Sequence, residues 1–267
     1  MVGRGIDLAG LDRLASFRIL DIGSGSGNTV FAAAEIMPNA LIFANDISPQ
    51  LLRILVGIQD NIPELEGRIE AYCFDLHKDF FTDNTFDLVI GGVILHHMLD
   101  PEAALKNVAR WLRPRGKVIL IEPLEIGGHL KAAIYLKLIE ETEQELGANH
   151  KLVMFFKAMC QDYEARFGVP RVKSWTKNLD DKWLFHASIL REMAEKIGLR
   201  LDFIAPTSTD TNKIFTNAIR WNLDVAGLAD IPTPARMWKV LDLFDEGISP
   251  QLKELFTPEG IICLVKP

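Results

Sequence analysis

Residues 19–28 constrain this chain more than any other stretch. Ile19, Leu20, Asp21 and Ile22 read as a short apolar strand that runs straight into Gly23, Ser24, Gly25, Ser26 and Gly27. A helical pattern follows at once, through Val30, Phe31, Ala33 and Ala34. Glycines at alternate positions permit backbone angles that other residues avoid, and they let a ligand come close to the main chain. Strand, glycine turn and helix together open a nucleotide-cofactor site in an α/β sheet protein.

The spacing of that turn discriminates between cofactors. A dinucleotide fingerprint asks for Gly-x-Gly-x-x-Gly or Ala, its third small residue allowing close helix–strand packing. Here Gly23 and Gly25 fit, Asn28 holds the third place, and Gly27 falls one residue early. A second strand pattern, residues 41–46, ends in Asp46. An acid at that strand end accepts hydrogen bonds from two ribose hydroxyls. NAD sites and S-adenosylmethionine (SAM) sites share this feature, so the turn has to separate them. A pyrophosphate needs a free helix N-terminus, whereas SAM brings an amino acid tail and a sulfonium.

Further along, strand patterns at 70–75, 86–90, 117–122, 199–204 and 260–265 alternate with helices at 49–60, 101–112 and 186–196. Ser48-Pro49 reads as a helix cap, and residues 113–116 as a turn into the fifth strand. The strands are nearly continuous apolar runs, as in a parallel sheet covered on both faces. The expected fold is therefore α/β: a Rossmann-like, seven-stranded, mostly parallel sheet with an antiparallel last strand. In such sheets ligands lie beyond the carboxyl ends of the strands. Asp21, Asp46, Asp75, Gly91 and Glu122 all fall at or near those ends.

Two long segments break the alternation, 124–184 and 206–259. Structureless loops of such length are uncommon. Leu130, Ile134 and Leu138, with Glu140, Glu141 and Glu143, predict an amphipathic helix. Trp175, Trp183, Trp221, Trp238, Phe155, Phe156, Tyr163, Phe185 and Phe244 also lie in this later region. These insertions read as a helical cap that closes over an acceptor and excludes water. The same aromatics suit the cap's own core, or a face for a homodimer. Residues 1–123, 185–205 and 260–267 then form the cofactor-binding core. Only about eighteen residues precede the glycine strand, which leaves a minimal N-terminal lid.

A chain of 267 residues with 48% hydrophobic and 24% charged residues has ample core for this plan. Its net charge of -7 argues against a broad nucleic-acid-binding face. The apolar runs stop short of a membrane span, and no signal peptide is visible. Cys73, Cys160 and Cys263 lack metal-ligand spacing. They read as reduced thiols of a cytoplasmic protein, with Cys73 and Cys263 buried in strands.

Four motifs in order carry a family resemblance: residues 20–27, the acid Asp46, the pair Asp75-Leu76, and residues 112–116 before the fifth strand. Residues 93–101, with His96 and His97, look like the same family's loop after strand four. The chain resembles the class I SAM-dependent methyltransferases, especially their small-molecule branch. The resemblance covers residues 17–123 well and the later core only generally. Arg115 departs from it, standing where the family usually has glycine. The resemblance implies SAM as cofactor, with Gly23, Gly25 and Gly27 against its methionine part and Asp21 orienting the amino group. It implies Asp46 on the ribose, Ile47 packed on adenine, Asp75 accepting from the adenine amino group and Leu76 offering its N–H. Gly91 would border the methionine carboxylate and sulfonium.

Methyl transfer is an in-line displacement in which the protein supplies alignment and dryness. For a hydroxyl acceptor a base is useful. His97 is the first candidate, with His96, His186 and Glu122 behind it, since histidine titrates in the useful range. Asp87 and Asp100 make no convincing carboxylate cluster, so no metal is expected. The expected substrate is a small, apolar or aromatic acceptor, methylated on oxygen, nitrogen or carbon. Two other classes compete. An NAD-dependent oxidoreductase is disfavoured by Asn28 and by the lack of a Tyr-x-x-x-Lys pair, since Ile139 follows Tyr135 and Phe167 follows Tyr163. A non-catalytic interaction subunit is disfavoured by the intact cofactor motifs.

Overall fold

The computed structural model describes residues 1–167 and 180–267. Trp175 lies outside the described residues. The chain divides into two compact units: Met1–Glu122 with Ala187–Ile204 and Ile261–Pro267, and Pro123–His186 with Ala205–Gly260.

The first unit is built on a seven-stranded sheet of order β3-β2-β1-β4-β5-β7-β6. The strands are β1 (Arg18–Ile22), β2 (Leu41–Asp46), β3 (Ile69–Cys73), β4 (Phe86–Gly92), β5 (Leu112–Pro123), β6 (Arg200–Pro206) and β7 (Glu259–Val265). β1 pairs in parallel with both β2 and β4, Asp21 lying beside Ala44 and Ile90. The order of connection reverses between β1 and β4, and a crevice forms at such a switch point. Parallel register also sets Asp46 beside Cys73. The three strand tips that carry motif residues are therefore neighbours.

β7 runs antiparallel to β5. Arg115 N–H donates to Lys266 O at 2.9 Å, and Lys266 N–H returns to Gly116 O at 3.0 Å, so the start of β5 meets the end of β7. The expected turn at 113–116 lies within β5 as an irregularity: Leu112 stands opposite Phe86 and Lys117 opposite Leu88, so four residues face one, and Arg115 turns through φ +64°.

Helices α2 (Asn28–Ile36), α3 (Pro49–Gln59), α4 (Pro101–Trp111) and α7 (Ala187–Lys196) connect the strands. Ser48 and Asp100 cap α3 and α4, each followed by proline at the first helical position. A further helix, α1 (Val2–Leu8), buries Val2 and Ile6 against the sheet. It approaches so closely that a Cβ on Gly5 would lie 2.8 Å from the Ile119 side chain. The N-terminal residues are thus part of the core packing rather than a lid.

The second unit is helical: α5 (Glu125–Leu146), α6 (Lys151–Arg166), α8 (Ile214–Val225), α9 (Ala235–Gly247) and α10 (Pro250–Leu255). Ile134 and Leu138 are fully buried, as the amphipathic pattern requires, in one core with Phe156, Phe215, Ile219 and Leu241. Most of the expected cap aromatics are spent on that core or its margin; Trp221 is half exposed. Lys131 is buried within this unit among Tyr163, Tyr135 and Glu259. Burial alone would depress its ammonium, but those neighbours outweigh it and the net shift is upward. Among the described residues no helix is long and apolar enough to cross a membrane.

Candidate active site

The glycine turn adopts positive φ at Gly23 (+64°), Gly25 (+53°) and Gly27 (+106°), which explains glycine at each. A Cβ on Gly23 would sit 2.2 Å from Ile94, so the loop after β4 can settle on the turn only because Gly23 has no side chain. Among the described residues, nothing lies within 4 Å of where a Cβ on Gly25 would be. The turn is therefore packed on one side and open on the other.

Asp21 and Asp46 flank this turn. Asp46 is nearly buried; its Oδ2 accepts from Gly25 N–H at 2.9 Å and its Oδ1 from Ser48 N–H at 2.8 Å. Each carboxylate oxygen keeps a second lone pair for a ligand hydroxyl. Asp21 is fully buried. Its Oδ2 accepts from the Thr29 hydroxyl, while its Oδ1 has no partner among the described residues. Burial pushes its carboxyl up to about 7, opposed by the Thr29 hydrogen bond and reinforced by the charge of Asp46.

A cleft of about 230 Å³ opens beside them, lined by Gly23, Asn45, Asp46, Ile47, residues 74–77, Ile94, His97 and Met98. Ile47 is a large apolar side chain that is 70% exposed there. Asp75 Oδ1 accepts from His77 N–H at 2.9 Å and faces His77 Nδ1 at 2.8 Å. These two hydrogen bonds hold its carboxyl below the usual carboxylate range. The Oδ2 of Asp75 makes no hydrogen bond among the described residues. His77 Nε2 lies 3.0 Å from Asp100 O and so ties the cleft to the start of α4.

Gly91 has a different place from the one the resemblance implies. A Cβ there would meet Ile22 at 2.8 Å and Leu120 at 3.0 Å, so Gly91 serves strand packing and Ile94 forms the wall. Glu122 likewise differs from a candidate base. It is fully buried, its Oε1 accepting from Ile94 N–H at 3.0 Å and Leu95 N–H at 2.7 Å. Its Oε2 takes His96 N–H at 3.4 Å and His96 Nδ1 at 2.7 Å. Glu122 is a clamp on the loop that carries His97. That loop begins at Val93, a β-branched residue held at φ +59°. His97 lines the cleft, its ring 4.1 Å from that of His96. His186 belongs to the helical unit. The structure therefore brings His97 to the cleft lined by Asp46, Ile47 and Asp75 and gives Glu122 a supporting role.

Thr29, Asn45 and His77 escaped the sequence reading. Asn45 is buried and bonds Phe74 O at 3.0 Å, fixing the segment that lines the cleft. One signal for His77 was available: a residue two places after an aspartate often closes an Asx turn. Cys73 needs correcting as well. It is exposed on the outermost strand, while Cys160 and Cys263 are buried; all three are free thiols. A strand at a sheet edge leaves one side open, which the apolar run around Cys73 does not reveal.

Residues 20–120 match a family model described as "Methyltransferase domain". The matched stretch, from β1 into β5, is therefore similar to a methyltransferase domain. Across 119 residues the chain is 31% identical to a demethylmenaquinone methyltransferase of Chlorobaculum tepidum, covering 45% of this chain and 46% of that protein. It is also 31% identical over 111 residues to a ubiquinone biosynthesis O-methyltransferase of Xanthomonas oryzae pv. oryzae, covering 40% and 43%. The chain thus matches under half the length of these curated relatives. A phospholethanolamine N-methyltransferase of Haemonchus contortus, solved with S-adenosylhomocysteine, superposes over 100% of this chain and 52% of its own. Its TM-score is 0.55 at 16% identity, a likeness of fold. The matched residues include the strand tips and the glycine turn that form the cleft.

Proposed function

We propose that this chain transfers a methyl group from SAM to a small acceptor of apolar or aromatic character. The observation that carries this reading is the fully buried Asp21 carboxylate oxygen with no partner. An open acceptor in a dry site costs free energy unless a donor completes it. The α-ammonium of a bound methionine moiety is such a donor. Asp46 would accept from the ribose hydroxyls, Ile47 would cover the adenine face, and Asp75 with the Leu76 N–H would read its edge. The uncharged, glycine-lined wall around Gly23 and Ile94 suits a sulfonium, because an anionic cradle would favour the ground state over the transition state.

SAM supplies the electrophilic methyl group when bound. The chain's own residues orient the partners and exclude water. With a hydroxyl acceptor, His97 would take the proton at a ring nitrogen, held in place through the Glu122 clamp on its loop. The relatives named for quinone methylation favour an aromatic acceptor, and the acidic balance of the chain disfavours nucleic acid. Three free cysteines suit a reducing cytoplasm.

Titration calorimetry with SAM and with NADH tests the cofactor. Binding is expected with SAM alone, and Asp46→Ala should weaken it about 100-fold, because hydrogen bonds to a charged acceptor are lost at both hydroxyls. Tight NADH binding without SAM binding would overturn the reading. With a hydroxyl acceptor, His97→Asn should lower kcat about 100-fold and affect cofactor affinity far less.

A further inference from the structure

β3 is the last strand of the sheet on one side. Ile42 N–H donates to Arg68 O at 2.8 Å, which fixes the alternation of the parallel ladder. Backbone groups of residues 68, 70 and 72 face β2, and those of residues 69, 71 and 73 face outward. Gln59 takes the outward carbonyl of Ile69 at 3.2 Å. The outward N–H and C=O of Ala71 have no partner among the described residues. Exposed edges are commonly blunted by lysine, proline or a bulge. β3 has none of these; it reads Ile69, Glu70, Ala71, Tyr72, Cys73.

Above this edge runs a groove of about 440 Å³ between α3 and β3. Its helical wall presents Arg53, Val56, Gly57 and Asp60, all exposed. Among the described residues, nothing lies within 4 Å of where a Cβ on Gly57 would be. Among the described residues, neither Arg53 nor Asp60 forms an ion pair. These residues have a particular arrangement: Arg53 and Asp60 stand equally far, in opposite directions, from the junction of Val56 and Gly57. A helix face with opposite charges equidistant from its centre complements itself when turned by a two-fold axis.

We propose that this face binds a second copy of the chain, with β3 pairing antiparallel to β3 about Ala71 and α3 lying against α3. Arg53 of each copy then meets Asp60 of the other, and Gly57 lets the two helices approach. A two-fold contact of this kind is isologous and closes as a dimer. It completes the open strand edge and both free charges at once. Self-complementarity singles out a second copy over a foreign strand. The contact also differs from the homodimer through the helical segments that the sequence suggests.

Sedimentation velocity over a range of concentrations tests this. The full chain is expected to reach twice the monomer mass of 30.0 kDa. Ala71→Pro removes an outward N–H and leaves the β2 ladder intact, so it should abolish the dimer. Arg53→Asp or Asp60→Arg alone turns two attractive contacts into repulsions and should weaken association about ten-fold. Both together exchange the charges and should restore it. That rescue answers the question even if Ala71→Pro misfolds, and circular dichroism of each variant reports folding. A monomer at every concentration would overturn the proposal. So would a dimer indifferent to both single reversals, which assembles elsewhere, or a double exchange that fails to rescue.

Discussion

At the tip of β1, Asp21 is sealed from water and keeps one carboxylate oxygen without a partner. In the helical unit, Asp245 is buried almost as deeply. Its two oxygens accept from the N–H groups of Phe215 and Thr216, each at 3.0 Å, at the start of α8. Both are inaccessible acids, yet one closes a helix end and the other is unfinished. Burial and charge alone do not distinguish a structural acid from a binding acid. The two differ in the open oxygen of Asp21, the acceptor that the proposed cofactor's ammonium would complete.

Replacing each acid by its amide is the most direct way to break this comparison, and the largest effect belongs to Asp21. Its carboxyl titrates near pH 7 in the fold, against an ordinary value of 3.8. Between these values the folded protein retains a proton that the unfolded chain has released. Stability therefore falls as pH rises from about 4 to about 7 and levels off above, by on the order of 4 kcal/mol. Asp21→Asn has no carboxyl to ionise. It should escape that decline and exceed the parent protein in stability at pH 8, while losing affinity for SAM. Denaturant unfolding at pH 5 and pH 8 measures the first effect and calorimetry the second. A less stable amide at pH 8 would show that Asp21 is as structural as Asp245.

Asp245→Asn should move the other way. One amide nitrogen would face a backbone N–H, costing about 2 kcal/mol, visible as a lower unfolding midpoint with unchanged cofactor affinity. A smaller effect sharpens the picture at the cleft. Val93 holds a left-handed conformation that β-branched residues avoid, and it is half exposed, so little packing would be lost there. Val93→Gly should relieve the strain and stabilise by up to about 1 kcal/mol. Because the loop that carries His97 loosens, turnover should fall. Thermal unfolding beside a steady-state assay separates the two.

The parts of the site legible in the sequence are those whose partners are close in the chain. Gly23, Gly25 and Gly27 announce a positive-φ turn by their own chemistry, and Asp46 by its place at a strand end. What stayed hidden depends on contacts across long stretches of chain. Glu122 reads as a possible base until Ile94, Leu95 and His96, more than twenty-five residues earlier, are seen to occupy it. Residues 113–116 read as a turn from their proline and glycine, and they do break the register with β4; what stayed hidden is their pairing with the distant Lys266. Cys73 reads as core because composition cannot tell an edge strand from a central one. The aromatics of the later segments were visible, but whether they line a site or fill an interior depends on packing, and Phe156 and Tyr163 fill one.

The two units are interleaved in the chain: the helical one is contributed by two separate stretches, one before α7 and one after β6. Side chains from α5 and α6 share a single apolar interior with those from α8 and α9. Grafting either stretch alone onto a related scaffold would transplant half an oil drop. Diversification of this module must therefore proceed by matched changes in two distant stretches of sequence, or by point changes that leave their common seam undisturbed.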